Sequence, residues 1–237
     1  MSLARRKALV TGATRGIGAA IATRLVAAGA EVTVTGTLDV GAGPERTTYR
    51  QVDFADIEAT EGFVAWVASE AFDILVNNAG INKIAPFAEI APADFDRIQR
   101  VNVRAPFRLC QAVIPHMRAQ GWGRIVTLSS VFGIVSREQR AAYSASKFAV
   151  DGMTAALAAE VAQFGILANC VAPGFIDTEL TRTVLGESGM SELAARVPAR
   201  RLGHAEEVAA LVAWLCSDEN SYISGQNVVM DGGFTRV

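Results

Sequence analysis

Short apolar runs with strand character alternate along this chain with longer helical stretches, and that alternation constrains the fold more than any other feature. The strand candidates are Lys7–Thr11, Glu31–Thr35, Tyr49–Val52, Ile74–Asn77, Arg124–Ser129, Leu167–Ala172 and Asn227–Met230. Helices are predicted over Gly16–Ala28, Ile57–Ser69, Ala93–Ala119, Ala141–Phe164, Glu179–Arg196 and Ala205–Ser217. Several strands are almost continuously apolar, as strands covered on both faces are. Strands and helices in alternation build a parallel sheet with helices on its faces, an α/β architecture. The 237 residues, 51% of them hydrophobic, suffice for one sizeable core, and no Pro/Ser-rich linker or charge run divides them. The expectation is a single domain over 1–237.

One link departs from the alternation. Between Gly36 and Tyr49 the chain reads Thr37-Leu-Asp-Val-Gly-Ala-Gly-Pro-Glu-Arg-Thr-Thr, with three breakers and no helical period. A loop is predicted there, and it leaves one sheet face uncovered unless another element packs on it.

The first strand runs into Gly12-Ala-Thr-Arg-Gly16-Ile-Gly18 and then into an alanine-rich helix. Strand, glycine turn and helix together are the context in which such a motif suits a pyrophosphate. Glycines let the backbone approach closely, and the helix N-terminus supplies free N–H groups. Far downstream stands Tyr143-Ser-Ala-Ser-Lys147, with Ser130 thirteen residues before the tyrosine. On a helix Tyr143 and Lys147 share one face. An ammonium beside a phenol lowers its pKa, and a serine hydroxyl close by can bond a substrate oxygen. That trio is suited to moving a proton on or off a carbonyl or alcohol oxygen. Ser129 points to the opposite face of the strand from Ser130, and the spacing to Tyr143 selects Ser130.

With these motifs in order, the chain resembles the short-chain dehydrogenase/reductase family from Lys7 to Asp231-Gly232-Gly233. Thr11-Gly12-Ala13-Thr14-Arg15-Gly16-Ile17-Gly18 matches its cofactor motif, and Asn77-Asn78-Ala79-Gly80 the stretch after its fourth strand. Asn102, Ser130, Tyr143 and Lys147 match its catalytic tetrad, and Pro173-Gly174 with Ile176 and Thr178 its nicotinamide-side segment. The resemblance implies a Rossmann-type doubly wound parallel sheet of about seven strands and hydride transfer between a nicotinamide and a carbonyl or secondary alcohol. It implies Tyr143 as proton donor or acceptor, Ser130 as a bond to the substrate oxygen, Lys147 on the nicotinamide ribose, and Asn102 holding a water for a proton relay. Thr178 is expected to bond the carboxamide or a phosphate. Asp53 is expected to contact adenine, with a cap on the following helix as its other reading. Ile81, Val131 to Val135, Gln139 and Phe175 adjoin motif residues and are expected to line the substrate pocket. Residues from about 175 to 200 form a candidate lid.

The tip of the second strand selects the cofactor. Gly36-Thr37 stands where NAD-preferring enzymes of the family carry an aspartate, and Arg15 is placed to pair with a 2′-phosphate. This favours NADP(H) over NAD(H), with Asp39 able to curl back toward the same tip. The net charge of −2 suggests neither nucleic acid nor an anionic membrane as partner. Cys110, Cys170 and Cys216 lie in apolar stretches without C-x-x-C spacing, and His116 and His204 lack ligand spacing, so no metal is expected. The N-terminus enters the first strand directly, and a cytoplasmic protein is expected.

Within the family the chain is most similar to β-ketoacyl-carrier-protein reductases, which implies a thioester substrate. The basic residues that dock the carrier protein correspond here to Gly121 and Phe164, with Arg118, Arg137 and Arg140 as the alternatives. A dehydrogenase of a free sugar, polyol or cyclic alcohol has the same catalytic residues. The complete tetrad counts against a dinucleotide-binding protein without catalysis. A homotetramer is implied, its long helices Ala93–Ala119 and Ala141–Phe164 being apolar on more than one face.

Overall fold

In the computed structural model, which describes residues 2–237 with the side chains of 180, 184 and 185 left aside, seven strands form one parallel sheet. In chain order they are β1 (Lys7–Val10), β2 (Glu31–Gly36), β3 (Thr47–Gln51), β4 (Ile74–Asn77), β5 (Gly123–Leu128) and β6 (Ile166–Pro173). The short strands β7 (Ile176–Asp177) and β8 (Gly203–His204) follow, and β9 (Asn227–Met230) completes the sheet. The helices are α1 (Gly16–Ala27), α2 (Ile57–Ser69), α3 (Pro92–Gln99), α4 (Ala105–Gln120), α5 (Ala141–Val161), α6 (Glu179–Arg196) and α7 (Ala205–Leu215).

The strand order is β3-β2-β1-β4-β5-β6-β9, so the direction of winding reverses between β1 and β4. At such a switch point the loops after the two strands part and leave a crevice at their carboxyl ends. The core is split by the sheet. On one face α1 and α7 bury Ile21, Leu25, Val208 and Val212 against β1, β2 and β4. On the other, α2, α4 and α5 bury Phe63, Val67, Leu109, Met117 and Val161. Each fully buried Leu, Ile or Phe contributes about 1.5–3 kcal/mol, so both layers hold the sheet rigidly between them.

Two sequence expectations change. The predicted helix over Ala93–Ala119 is three pieces: α3, a π-helical turn at Arg100–Arg104, and α4. The π turn inserts at Asn102 without ending the helical path, so the apolar period runs through it. The strands β7 and β8, two residues each, were not predicted; they pair with one another beside the main sheet.

The link between β2 and β3 is a loop, and it covers the sheet face itself. A Cβ on Gly41 would lie 2.2 Å from the Tyr49 ring, and one on Gly43 would lie 2.3 Å from a Val34 methyl. Only glycines let this backbone lie flat where a helix would otherwise sit. Tyr49 Oη donates to the Leu38 carbonyl at 2.6 Å and ties the loop down.

Candidate active site

The crevice at the switch point is built from the turns after β1 and β4, which are bonded to one another. Thr11 Oγ1 accepts from the amides of Asn78 and Ala79, both at 3.0 Å. Asn78 Nδ2 returns two bonds to the carbonyls of Thr11 and Gly12 at 2.9 Å each. Thr35, at the end of β2, accepts the Gly12 amide on its hydroxyl and the Ala13 amide on its carbonyl, both at 3.0 Å. A Cβ on Gly18 would lie 2.4 Å from Asn78 Nδ2 and 2.6 Å from the Gly12 carbonyl, so the turn closes only with glycine there. Thr11 and Thr35 thus hold the turn from buried positions, and a threonine closing each of two apolar strand runs is the sequence signal that marks them.

The mouth of this turn suits a dinucleotide. Helix α1 begins at Gly16 with Arg15 as its N-cap and no side-chain cap, so its first N–H groups stay free for an anion. The helices α2 and α6, by contrast, are capped by Asp56 and Thr178. Thr14 and Arg15 are exposed on the rim, and Ile17 anchors the helix in the core. Gly36 lies against Thr14, and Thr37 is exposed beyond it. Asp39 does curl back: Gln51 Nε2 donates to its carboxylate at 2.5 Å and to the Thr37 carbonyl at 3.3 Å. A carboxylate and the free Arg15 therefore both stand near the β2 tip.

The proton-handling residues converge at the same crevice. Lys147, buried in α5, donates from Nζ to the Leu128 carbonyl at 2.7 Å, and its Nζ lies 5.5 Å from the Tyr143 ring centroid. Burial pushes the ammonium down to about 8. Burial pushes the Tyr143 phenol up, and the groups that pull it back are the Ser130 hydroxyl and then Arg140, rather than Lys147. Ser130 faces this phenol, and its Oγ also accepts the Phe132 amide at 3.2 Å. Ser129 bonds the Lys147 carbonyl at 3.3 Å and takes no part in the site.

Asn102 is fully occupied. Its Oδ1 accepts the Ile81 amide, while its Nδ2 donates to the Ile81 carbonyl and to Ser146 Oγ, each at 2.9 Å. A Cβ on Gly80 would lie 3.5 Å from Asn102 Oδ1 and 3.6 Å from Lys147 Nζ. The Asn102 side chain thus fixes the Gly80–Ile81 loop and ties it to Ser146 on α5.

On the other side of Tyr143 stands an aromatic wall. Phe132 meets Phe175 edge-on at 6.2 Å, and Phe175 meets Phe234 at 4.9 Å. The Arg140 guanidinium lies 5.6 Å from the Phe132 ring centroid. Gln139 is exposed and sits in the left-handed region at φ 64°, with its carbonyl accepting the Ala85 amide at 3.4 Å. Val131 and Phe132 are both buried, at 1% and 8% exposed.

Asp53 does not cap α2; Asp56 does, accepting the Ala59 amide at 3.1 Å, while Asp53 accepts the Ala55 amide at 2.9 Å in a local turn. The Thr178 hydroxyl caps α6 through the Thr181 amide at 3.2 Å, and its methyl lies across from Gly16. Pro173 pairs with Met230, the Gly174 amide donates to the Met230 carbonyl at 2.9 Å, and Ile176 is buried on β7. Burial pushes the Cys110 and Cys216 thiols up to about 12 and Cys170 to about 11, which keeps all three protonated and unreactive. Among the described residues no group of three metal-ligating side chains forms, and no helix is long and apolar enough to cross a membrane.

Comparison with known proteins agrees with this geometry. A family model described as enoyl-(acyl carrier protein) reductase matches residues 12–235. The 3-oxoacyl-(acyl-carrier-protein) reductase FabG of Salmonella typhimurium is 41% identical over 246 positions, covering 100% of each chain. The gluconate 5-dehydrogenase of Burkholderia cenocepacia J2315, crystallised with NADP and tartrate, is similar with a TM-score of 0.89 and 33% identity, covering 100% of this chain and 97% of its own. A Beutenbergia cavernae protein crystallised with NADP at low occupancy has a TM-score of 0.91 and 37% identity, over 100% of this chain and 99% of its own.

Proposed function

The chain belongs to the short-chain dehydrogenase/reductase family, an oxidoreductase acting on CH–OH and C=O groups with a nicotinamide dinucleotide, and we propose that it reduces 3-oxoacyl-type ketones with NADP(H). The observation that carries this reading is the convergence of Ser130, Tyr143 and Lys147 beside the uncapped N-terminus of α1. The bound dinucleotide supplies the hydride. The residues of the chain handle everything else. Arg15 and the free N–H groups of α1 bind the phosphates, with Arg15 on a 2′-phosphate. Asn78, Ala79 and Gly80 shape the floor under the nicotinamide, and Gly174, Ile176 and Thr178 flank it. Lys147 binds ribose hydroxyls. Tyr143 gives its proton to the ketone oxygen, and Ser130 holds that oxygen with a hydrogen bond as charge develops on it. A phenol kept protonated by burial is well suited to the donating direction. Helix α6, kinked at Gly186, closes over the crevice as a lid.

The 3-oxoacyl preference draws on the full-length similarity to a 3-oxoacyl reductase. A second reading, a dehydrogenase of a free sugar, polyol or cyclic alcohol, is favoured by one observation. Arg118, a candidate for docking an acidic carrier protein, is laid over the Phe164 ring at 4.0 Å, and Gly121 only caps α4. The gluconate 5-dehydrogenase likeness points the same way. In either case we place the protein in the cytoplasm as a homotetramer, assembled through α4 and α5, where Phe107 and Phe148 are exposed.

The test is NADPH consumption with a short 3-oxoacyl thioester. The wild type turns over. Tyr143→Phe loses about 10²–10⁴-fold in kcat with NADPH binding retained, the range for removing a general acid. Substantial turnover by the variant removes Tyr143 from its role, and no turnover by the wild type moves the weight to the free-alcohol reading.

A further inference from the structure

Arg140 stands beside Tyr143, with Arg137 as a neighbouring like charge, and no carboxylate among the described residues neutralises it. It is the N-cap of α5, three residues before the tyrosine, and so lies about one helical turn, ~5 Å, from it. Its Nε is buried without a hydrogen-bond partner, and no carboxylate among the described residues pairs with it. Arg108, Arg182 and Arg201, by contrast, are paired with Glu61, Asp177 and Glu207. The face of Phe132 lies under the Arg140 guanidinium at 5.6 Å, a weak partner for a cation at that range. Phe132 in turn is tied to Ser130 by its amide and to Phe175 by its ring. Ser130, Arg140 and the Phe132 ring are therefore neighbours around the Tyr143 phenol.

The segment that carries Arg140 is held in place. Ser136 and Ser144 share a hydrogen bond at 2.7 Å across its base, and the Gln139 backbone is in the left-handed region, a strain that persists only where surroundings hold it. An arginine fork kept half-buried and unpaired in an apolar setting matches a planar two-oxygen anion.

Resting on the ketoreductase reading above, we propose that Arg140 binds an anionic group of the substrate, a carboxylate, so that the enzyme acts on short oxo acids and the matching hydroxy acids in preference to their neutral esters. The carboxylate lies against the guanidinium while the ketone oxygen reaches Ser130 and Tyr143. Arg140 also lowers the Tyr143 pKa, so a test by rate alone would confuse binding with tuning of the phenol.

The experiment separates these by binding acetoacetate and methyl acetoacetate, which keeps the ketone and removes the charge. Both are titrated into Tyr143→Phe enzyme loaded with NADPH, followed by nicotinamide fluorescence, with and without Arg140→Gln or Arg140→Lys. Without the phenol, Arg140 cannot act through it. The acid is expected to bind about tenfold to a hundredfold more tightly than the ester, as a charge-assisted pair would give. Arg140→Gln erases that preference and Arg140→Lys keeps part of it. Equal affinities, no binding of the acid, or a preference that survives Arg140→Gln overturns the assignment. Wild-type turnover of a neutral 3-oxoacyl thioester with NADPH is measured alongside. Turnover without an acid preference leaves the ketoreductase standing and Arg140 dismissed, whereas an acid preference without thioester turnover upholds Arg140 and dismisses the thioester.

Discussion

The two halves of the crevice are built on opposite terms. On the cofactor side most polar groups are spent on each other: Thr11, Asn78 and Thr35 pair with neighbouring backbone and Asn102 bonds Ile81 and Ser146, with the buried Asn77 Oδ1 as the exception. On the substrate side an aromatic wall carries a guanidinium whose Nε has no partner. The first half has to hold one shape whatever the substrate, and satisfied buried hydrogen bonds make a single shape rigid. The second half keeps its polar group for a ligand, and buried groups left unpaired are costly unless something is to fill them. The difference teaches where to look for function: in the residues whose hydrogen bonds do not close within the chain.

Three experiments break or sharpen that contrast. The largest effect falls on the closed half. Gly18→Ala sets a methyl against the Gly12 carbonyl and the Ala13 backbone, which cannot give way as a side chain could. It should cost about 3 kcal/mol in denaturant unfolding and abolish NADPH binding. A variant of wild-type stability would mean that the turn is looser than its bonding implies.

Lys147 sits on the boundary between the halves and gives a smaller effect. Its folded pKa of about 8 lies below the ordinary lysine value of about 10.4. Below pH 8 both states carry the proton, and the folded state bears the full cost of a buried charge. Between about pH 8 and 10 the unfolded chain holds the proton and the folded one releases it, so stability rises with pH. Measured as wild type minus Lys147→Met, the unfolding free energy should increase by on the order of 2 kcal/mol from pH 7 to pH 10. A flat difference would show that the ammonium is better solvated than its burial suggests.

The smallest effect belongs to Arg15, the unpaired group on the rim of the otherwise closed half. Arg15→Ala should lower the NADPH-to-NADH affinity ratio about fivefold to tenfold, a contact worth about 1 kcal/mol at an exposed site. Asp39→Ala should shift the ratio the other way, because it removes the carboxylate that Gln51 holds at the same strand tip. Equal losses for the two cofactors in Arg15→Ala would remove it from 2′-phosphate recognition.

Much of the architecture was legible because its signals are local. Ile74–Asn77, Asn227–Met230, Ile57–Ser69 and Glu179–Arg196 were predicted with the bounds observed, since apolar runs and helical periods need only neighbours. The π turn at Arg100–Arg104 was not, because one widened turn leaves the spacing of apolar residues nearly intact. The two-residue strands β7 and β8 carry no period at all. Asp53 and Asp56 both precede α2, and only the geometry shows which of them caps it.

What the amino-acid order determined by itself was the alternation of strands and helices, the glycine turn after β1, and the presence of Ser130, Tyr143 and Lys147 with spacings that one strand and one helix make meaningful. Each of those depends on backbone sterics and side chains a few positions apart. The tertiary structure decided the rest: that Thr35 reaches back to Gly12, that the Asn102 side chain holds Ile81, and that Lys147 gives one of its three N–H donors to the Leu128 carbonyl. It also decided that Arg140 is left over beside the phenol. Hydrogen-bond partners and burial arise only when distant segments meet, and they set which groups are used up in folding and which remain for chemistry.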